Sequence, residues 1–238
     1  MIQEKIEEIE REVKKGNFAL RRLGFWDIID QAKKDKEIAL KYGRKLSEIN
    51  RYVFEQKWRH RYPPILGIVS MTIISLITIA FFPLSATDKL YLSIYFPIAS
   101  FILSASLHPV IQYAIGRSLG VKFLYFYLRG IYIFSRRAKD KFHIEPALKV
   151  DYESHLMVGP LKRAIVHVSG AILTIIVVFF FFWLSLTYNT YIWSQAICGG
   201  LAFSYLLTEI IYSPKYAAWK HFLEEFKIWK ELKKSNRI

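Results

Sequence analysis

Ser106-Leu107-His108-Pro109-Val110-Ile111-Gln112-Tyr113-Ala114-Ile115-Gly116-Arg117-Ser118-Leu119-Gly120-Val121 runs out of a long apolar segment into a charged one. His108 and Gln112 stand four residues apart, which on a helix puts them on one face. Ser104, Ser106, His108 and Gln112 all lie within or at the edge of the apolar region. Polar side chains at such depth are costly, face the interior of a bundle, and are functional candidates by default.

Working outward, the chain is 53% hydrophobic and 16% aromatic, too apolar for a soluble domain of 238 residues. A membrane-spanning helix needs about 20 mostly apolar residues. Four segments qualify: Pro64 to Leu84, Leu90 to Tyr113, Ile165 to Leu186, and Tyr191 to Tyr212. The charged first 60 residues do not read as a cleaved signal peptide.

Lys and Arg are distributed unevenly: 16 in residues 1–63, 10 in 116–163, 7 from Lys215 onward, and Lys89 alone elsewhere. That bias orients a multi-pass protein in the cell membrane with both termini and the middle loop in the cytoplasm, and short outer loops near Asp88 and Asn189. A formal charge of +14 raises the question of nucleic acid. Basic blocks abutting spans are instead explained by topology and by anionic lipid head groups. The lone Cys198 excludes a disulfide or a cysteine-based zinc site within one chain.

The expected architecture is an all-α polytopic membrane protein. Residues 1–62 form a cytoplasmic helical, coiled-coil-like region, 63–213 a four-helix membrane domain with an insert over 116–163, and 214–238 a basic amphipathic helix. Ile2, Ile6, Ile9 and Val13 predict a short first helix, ended by Lys15-Gly16-Asn17. Ile28, Ala32, Ala39, Tyr42, Leu46, Ile49 and Val53 predict one longer second helix. Its stripe must bury against something, whether the first helix, the cytoplasmic loop, its own membrane domain, a second copy of the chain or a membrane-protein partner.

Trp58, Arg59, His60, Arg61 and Tyr62 read as an interfacial anchor. Phe123 to Tyr127, Ile131 to Phe134 and Phe142 to Val150 suggest a small hairpin or sheet around a basic turn at Ser135 to Lys141. Its edge could accept an extended peptide. Phe179 to Trp183 reads as lipid-facing. The tail, with Lys215, Trp219, Lys220, Lys227, Trp229 and Lys230, is expected to lie on the inner membrane surface.

The opening stretch resembles the core motif of the site-2 proteases, zinc enzymes that cleave substrates within the membrane. In that family a transmembrane helix carries HExxH followed by a trail ending in leucine-glycine-valine. Here His108-Pro109-Val110-Ile111-Gln112 occupies the motif, and Ala114, Arg117, Leu119, Gly120 and Val121 reproduce the trail. Ser169-Gly170-Ala171-Ile172-Leu173-Thr174, after Lys162-Arg163, resembles the family's alanine-glycine-proline-x-x-asparagine helix. The resemblance covers roughly Leu90 to Pro214 and implies a small cytoplasmic sheet between the two motifs.

The catalytic chemistry is missing from the match. HExxH needs two histidines for the metal and a glutamate as general base. Of these only His108 remains, with Pro109 and Gln112 in the other places. Glu209, the only acid in any span, is the substitute ligand should zinc bind, and Ser106, Gln112, Thr174 and Thr208 would complete a polar cluster. The resemblance therefore implies a non-catalytic binder of transmembrane segments or membrane partners. Two alternatives are a scaffold subunit unrelated to proteases and an active metalloprotease with His108 and Glu209 as ligands.

Overall fold

The computed structural model describes residues 2–58, 60–85, 88–131, 142–216 and 218–235. Arg59, residues 132–134 of the expected Ile131 to Phe134 stretch, and the basic turn over 135–141 lie outside them. Among the described residues the elements are α1 (Ile2–Lys14), α2 (Phe25–Lys34), α3 (Lys36–Lys57), β1 (Arg61–Tyr62), α4 (Pro64–Ser85), α5 (Lys89–Ser118), β2 (Phe123–Ile131), β3 (Phe142–Val150), α6 (Tyr152–Met157), α7 (Pro160–Thr187), α8 (Ile192–Leu207), a π turn (Thr208–Tyr212), α9 (Ser213–Tyr216) and α10 (Ala218–Lys234).

Four helices, α4, α5, α7 and α8, are long and apolar enough to cross a membrane. The inner pair is α5 and α7: Leu92, Phe96, Ala99 and Leu103 pack with Val177, Phe181 and Leu184. The outer helices α4 and α8 keep large apolar side chains exposed, such as Ile73 and Ile77 or Ile197 and Phe203. The Phe179 to Trp183 run is divided: Phe180 and Trp183 are exposed, but Phe181 is buried against Phe96. A helical face changes every residue, so five consecutive aromatics cannot share one environment.

Asp88 starts α5 by accepting hydrogen bonds from the amides of Leu90 and Tyr91. The helix continues through Pro97 and Pro109 without a break in its span. Asn189, left-handed at φ 46°, turns the chain from α7 to α8. Gln195 serves this turn, donating to the Thr190 carbonyl at 3.0 Å.

The N-terminal region departs from the expected pair of helices, one short and one long. The long apolar stripe is divided at Asp35, which is extended and accepts hydrogen bonds from the amides of Glu37 and Ile38. An aspartate in that role begins a new helix, so α2 and α3 replace one long helix. With α1 they enclose Ile6, Ile9, Phe25, Ile28, Ile29 and Leu46. The stripe's partner therefore comes from within this chain.

The sheet has three antiparallel strands in the order β1-β2-β3. The expected hairpin is present as β2 and β3, with register shifts after Phe123 and Arg129. Arg61 and Tyr62 add a short third strand. Two glycines let the sheet lie close to the long helices. A Cβ on Gly67 of α4 would fall 2.0 Å from Phe126, and one on Gly116 of α5 would fall 2.5 Å from Phe123. Both phenylalanines are buried.

The N-terminal helices, the sheet, α6 and α10 gather at one end of the four long helices, where α4 and α7 begin and α5 and α8 finish.

Candidate functional site

The opening stretch forms the last three turns of α5, and the second motif lies on α7 directly opposite. His108 Nδ1 is 3.2 Å from Thr174 Oγ1. The threonine hydroxyl donates to the Gly170 carbonyl at 3.0 Å, the usual back-bond of a helical threonine. A hydroxyl has one proton to give, so with that proton on a backbone carbonyl the 3.2 Å contact is satisfied by His108 Nδ1–H donating to Thr174.

Gly170 explains how the imidazole fits between two helices. A Cβ there would lie 2.6 Å from Nε2, 2.7 Å from Cε1 and 2.8 Å from Cδ2 of His108. Near-equal distances to three ring atoms put that Cβ over the ring face, so the imidazole lies flat on bare α7 backbone. Small residues permit such close helix contact. Pro109, buried beside it, brings no N–H, and neighbouring carbonyls can be served from elsewhere. Thr174 Oγ1 lies 3.5 Å from the Ser104 carbonyl.

Two further polar contacts join the remaining long helices to α5. Ser106 Oγ meets Ser75 Oγ of α4 at 2.8 Å. Ser104 Oγ meets Tyr205 Oη of α8 at 3.3 Å. A seam of hydroxyls and one imidazole thus connects all four long helices through α5.

The expected cluster is only partly assembled. Ser106, His108 and Thr174 belong to the seam, and Gln112 lies half-buried one turn beyond His108. Thr208 does not join them: it is exposed, and its hydroxyl donates to its own helix at Ser204. Glu209 sits on the π turn with Ser213 and Trp219 as its polar neighbours. The five-residue π turn shifts the helical hydrogen-bond pattern after Leu207.

The donor set around His108 does not fit zinc. A zinc site draws three or four nitrogen, thiolate or carboxylate ligands from the protein. His108 supplies one imidazole, and the side chains around it are hydroxyls and an amide. Among the described residues no group of three or more His, Cys, Asp and Glu side chains is placed to hold a metal ion. Pro109 has no proton-accepting atom for a general base.

The residues expected at a membrane surface have other partners. Trp58 ends α3 and packs with Phe54 and Tyr127. Arg61 donates to the carbonyls of Glu55 and Trp58. Lys215 falls on α9. The helix α10 packs against α7 and α2, burying Glu225 and Ile228. Its contacts run His221 to His167 and Glu225 to Arg163, so it is antiparallel to the start of α7. Trp219, Phe222, Phe226 and Trp229 form a continuous aromatic row along it. Lys220, Lys227 and Lys230 remain exposed.

Sequence reasoning missed a second polar centre, where α10 docks. Arg163 and Glu225 are both 1% exposed or less. Arg163 Nε donates to Glu225 Oε2 at 2.7 Å, and its other nitrogens donate to the carbonyls of Val158 at 2.9 Å and Lys33 at 3.0 Å. Lys33 Nζ lies 3.2 Å from Glu225 Oε1. A lone acid on the apolar side of the tail, in phase with Phe222, Ile228 and Leu232, was the available signal.

Comparison with family models, with curated proteins and with solved structures finds no match.

Proposed function

We propose that this chain is a membrane-embedded, non-catalytic relative of the site-2 proteases that binds a transmembrane segment of a partner protein. In this reading the four long helices cross the cell membrane, and the termini and the sheet face the cytoplasm, where basic residues are favoured. The observation that carries the proposal is the seating of His108 on Gly170 and Thr174. Each of the two motif remnants resembles the family's pattern on its own; His108 and Gly170 stand 62 positions apart in the chain, and they meet side by side. The small cytoplasmic sheet that the resemblance implies corresponds to β1–β3.

Loss of function at the metal follows from the residues. Proline in place of the general base and glutamine in place of a ligand each remove a step that metal-assisted hydrolysis requires. What remains is a bundle with exposed apolar flanks on α4 and α8 and a polar seam between them. Transmembrane helices associate through packing and interhelical hydrogen bonds of this kind.

The test is zinc content and peptide handling of the protein purified into lipid nanodiscs. The expected result is substoichiometric zinc, no cleavage of a fluorescent transmembrane peptide, and saturable association with such a peptide. Stoichiometric zinc that disappears in His108→Ala, together with peptide cleavage, would overturn the reading in favour of an enzyme. A protein that neither cleaves nor associates with transmembrane peptides is a scaffold instead.

A further inference from the structure

Three of the six histidines form a row at the junction of α2, α6, α7 and α10. His155 Nε2 of α6 lies 3.3 Å from His167 Nε2 of α7. The His167 ring in turn packs on His221 of α10, with centroids 5.1 Å apart. Exposure grades along the row: the His155 residue is 3% exposed, His167 is half-buried, and the His221 side chain is 49% exposed. His221 Nδ1 faces Glu224 at 3.3 Å.

The row stands against the buried ion cluster. Facing it are Arg163 from α7, Lys33 with Asp30 from α2, and Glu225 with Glu224 from α10. On its own helix His155 has Tyr152 against its ring, with Asp151 and Glu153 nearby, and Lys149 of β3 lies over Tyr152. The helix α3 meets α6 through Gly43 and Ser47. Two cations therefore share one fully buried carboxylate, with Asp30 and Glu224 set beside Lys33 and His221, so a proton on His155 would add a third positive charge next to Glu225. His155 Nδ1 is buried and has no hydrogen-bond partner among the described residues.

We propose that the His155–His167–His221 row, set against the Arg163–Glu225–Lys33 cluster, is a proton-sensitive latch that holds α10 and α2 on α7 at neutral pH and releases them in acid. In the closed junction one imidazole donates to the other across the 3.3 Å contact, which requires that at least one be neutral. Burial, then His167, Arg163, Lys33 and His221, push the His155 pKa well below the ordinary histidine range. A released, solvated His155 titrates near 6.5.

The sign follows. The closed form rejects the proton that the open form accepts, so closure is fully favoured above about pH 6.5 and weakens as pH falls below it. Each such histidine shifts the closed-to-open ratio by about tenfold per pH unit. The latch does not depend on the protease-like reading, since none of its residues belongs to the α5–α7 seam.

Hydrogen exchange of the full chain in nanodiscs tests the latch through the amides of α10, corrected for intrinsic pH dependence. Wild type should lose about fivefold of its α10 protection between pH 6.5 and 5.5, approaching tenfold per unit at lower pH, whereas His155→Gln should keep it. A parallel measurement needs no variant: ring-labelled histidine spectra of the wild type should show His155 protonation and α10 opening at one midpoint. Three results would each overturn the latch: α10 protection independent of pH, the same acid opening in His155→Gln, or separate midpoints. Stoichiometric zinc that protects α10 only when His155 is present would also overturn it, by making the pair a metal clip.

Discussion

Arg163→Met is the most informative single change outside the long-helix seam. Methionine fills much of the same volume without charge, so the perturbation is the loss of a guanidinium that makes hydrogen bonds to Glu225, Val158 and Lys33. Glu225 would stay fully buried with Lys33 as its remaining cation. Breaking a buried ion pair from one side costs about 3–5 kcal/mol, because it strands the other charge. The Lys33 contact at 3.2 Å places this case at the lower end, near 3 kcal/mol. For a chain of this length that loss corresponds to about 6–12 °C in melting temperature.

Removing both charges is a different matter. Arg163→Met with Glu225→Leu replaces the pair by apolar groups, which is often close to neutral, and Lys33 keeps Asp30 at 3.5 Å. The assay is thermal unfolding in detergent followed by tryptophan fluorescence, with Trp219 and Trp229 on α10 reporting the tail. The expected pattern is a large loss in either single variant and recovery of more than half in the double. A single variant within about 1 kcal/mol of wild type, or a strictly additive double, would refute the claim that α10 is anchored by this pair.

Gly170→Ala should disturb the α5–α7 seam, because its Cβ would press on the His108 ring at 2.6 Å. A loss of about 1–3 kcal/mol is expected, relieved in Gly170→Ala with His108→Ala, and thermal melts of the three variants check it. Gly67→Ala would place its Cβ 2.0–2.5 Å from Cγ, Cδ2 and Cβ of Phe126. Those atoms cannot swing away as a flexible chain end does, so the sheet should detach from α4, seen as faster exchange in β2.

Lys149 gives a pH prediction. Burial lowers its pKa to about 8, so its charge disfavours the folded state below pH 8. That penalty is relieved as pH rises from 8 toward 10.5. The side chain is only half-buried and bonded to Asn50, so the expected effect is modest. Lys149→Met should be neutral or stabilising by about 1 kcal/mol at pH 7, with its difference from wild type shrinking by pH 9.5.

The four long helices were legible because span length is a property of composition: about 20 apolar residues mark a span whatever packs around them. The β2–β3 hairpin was legible for a similar local reason, in its aromatic and β-branched runs. Elements defined by distant partners were not. Arg61 and Tyr62 become a strand only by pairing with Tyr127 and Phe126, and no two-residue stretch carries that information. Asp35 was an overlooked local signal, since an aspartate before Lys36-Glu37 is a helix start even inside an apolar stripe.

The polar sites divide in the same way. His108, Ser106 and Thr174 were found because a polar group in an apolar helix is conspicuous against its background. Arg163 and Glu225 were not, because each sits in a charged segment where a solvated reading is ordinary. Their burial arises only when α10 folds back along α7, bringing residues 62 positions apart into contact. Thr208 and Glu209 are polar in the same conspicuous way, but their contacts are local: Thr208 donates to Ser204 on its own helix, and Glu209 has Ser213 and Trp219 as polar neighbours. Those contacts depend on the π turn over Thr208–Tyr212 and on how the chain enters α10, and neither feature is marked by the polarity of the residues that make it.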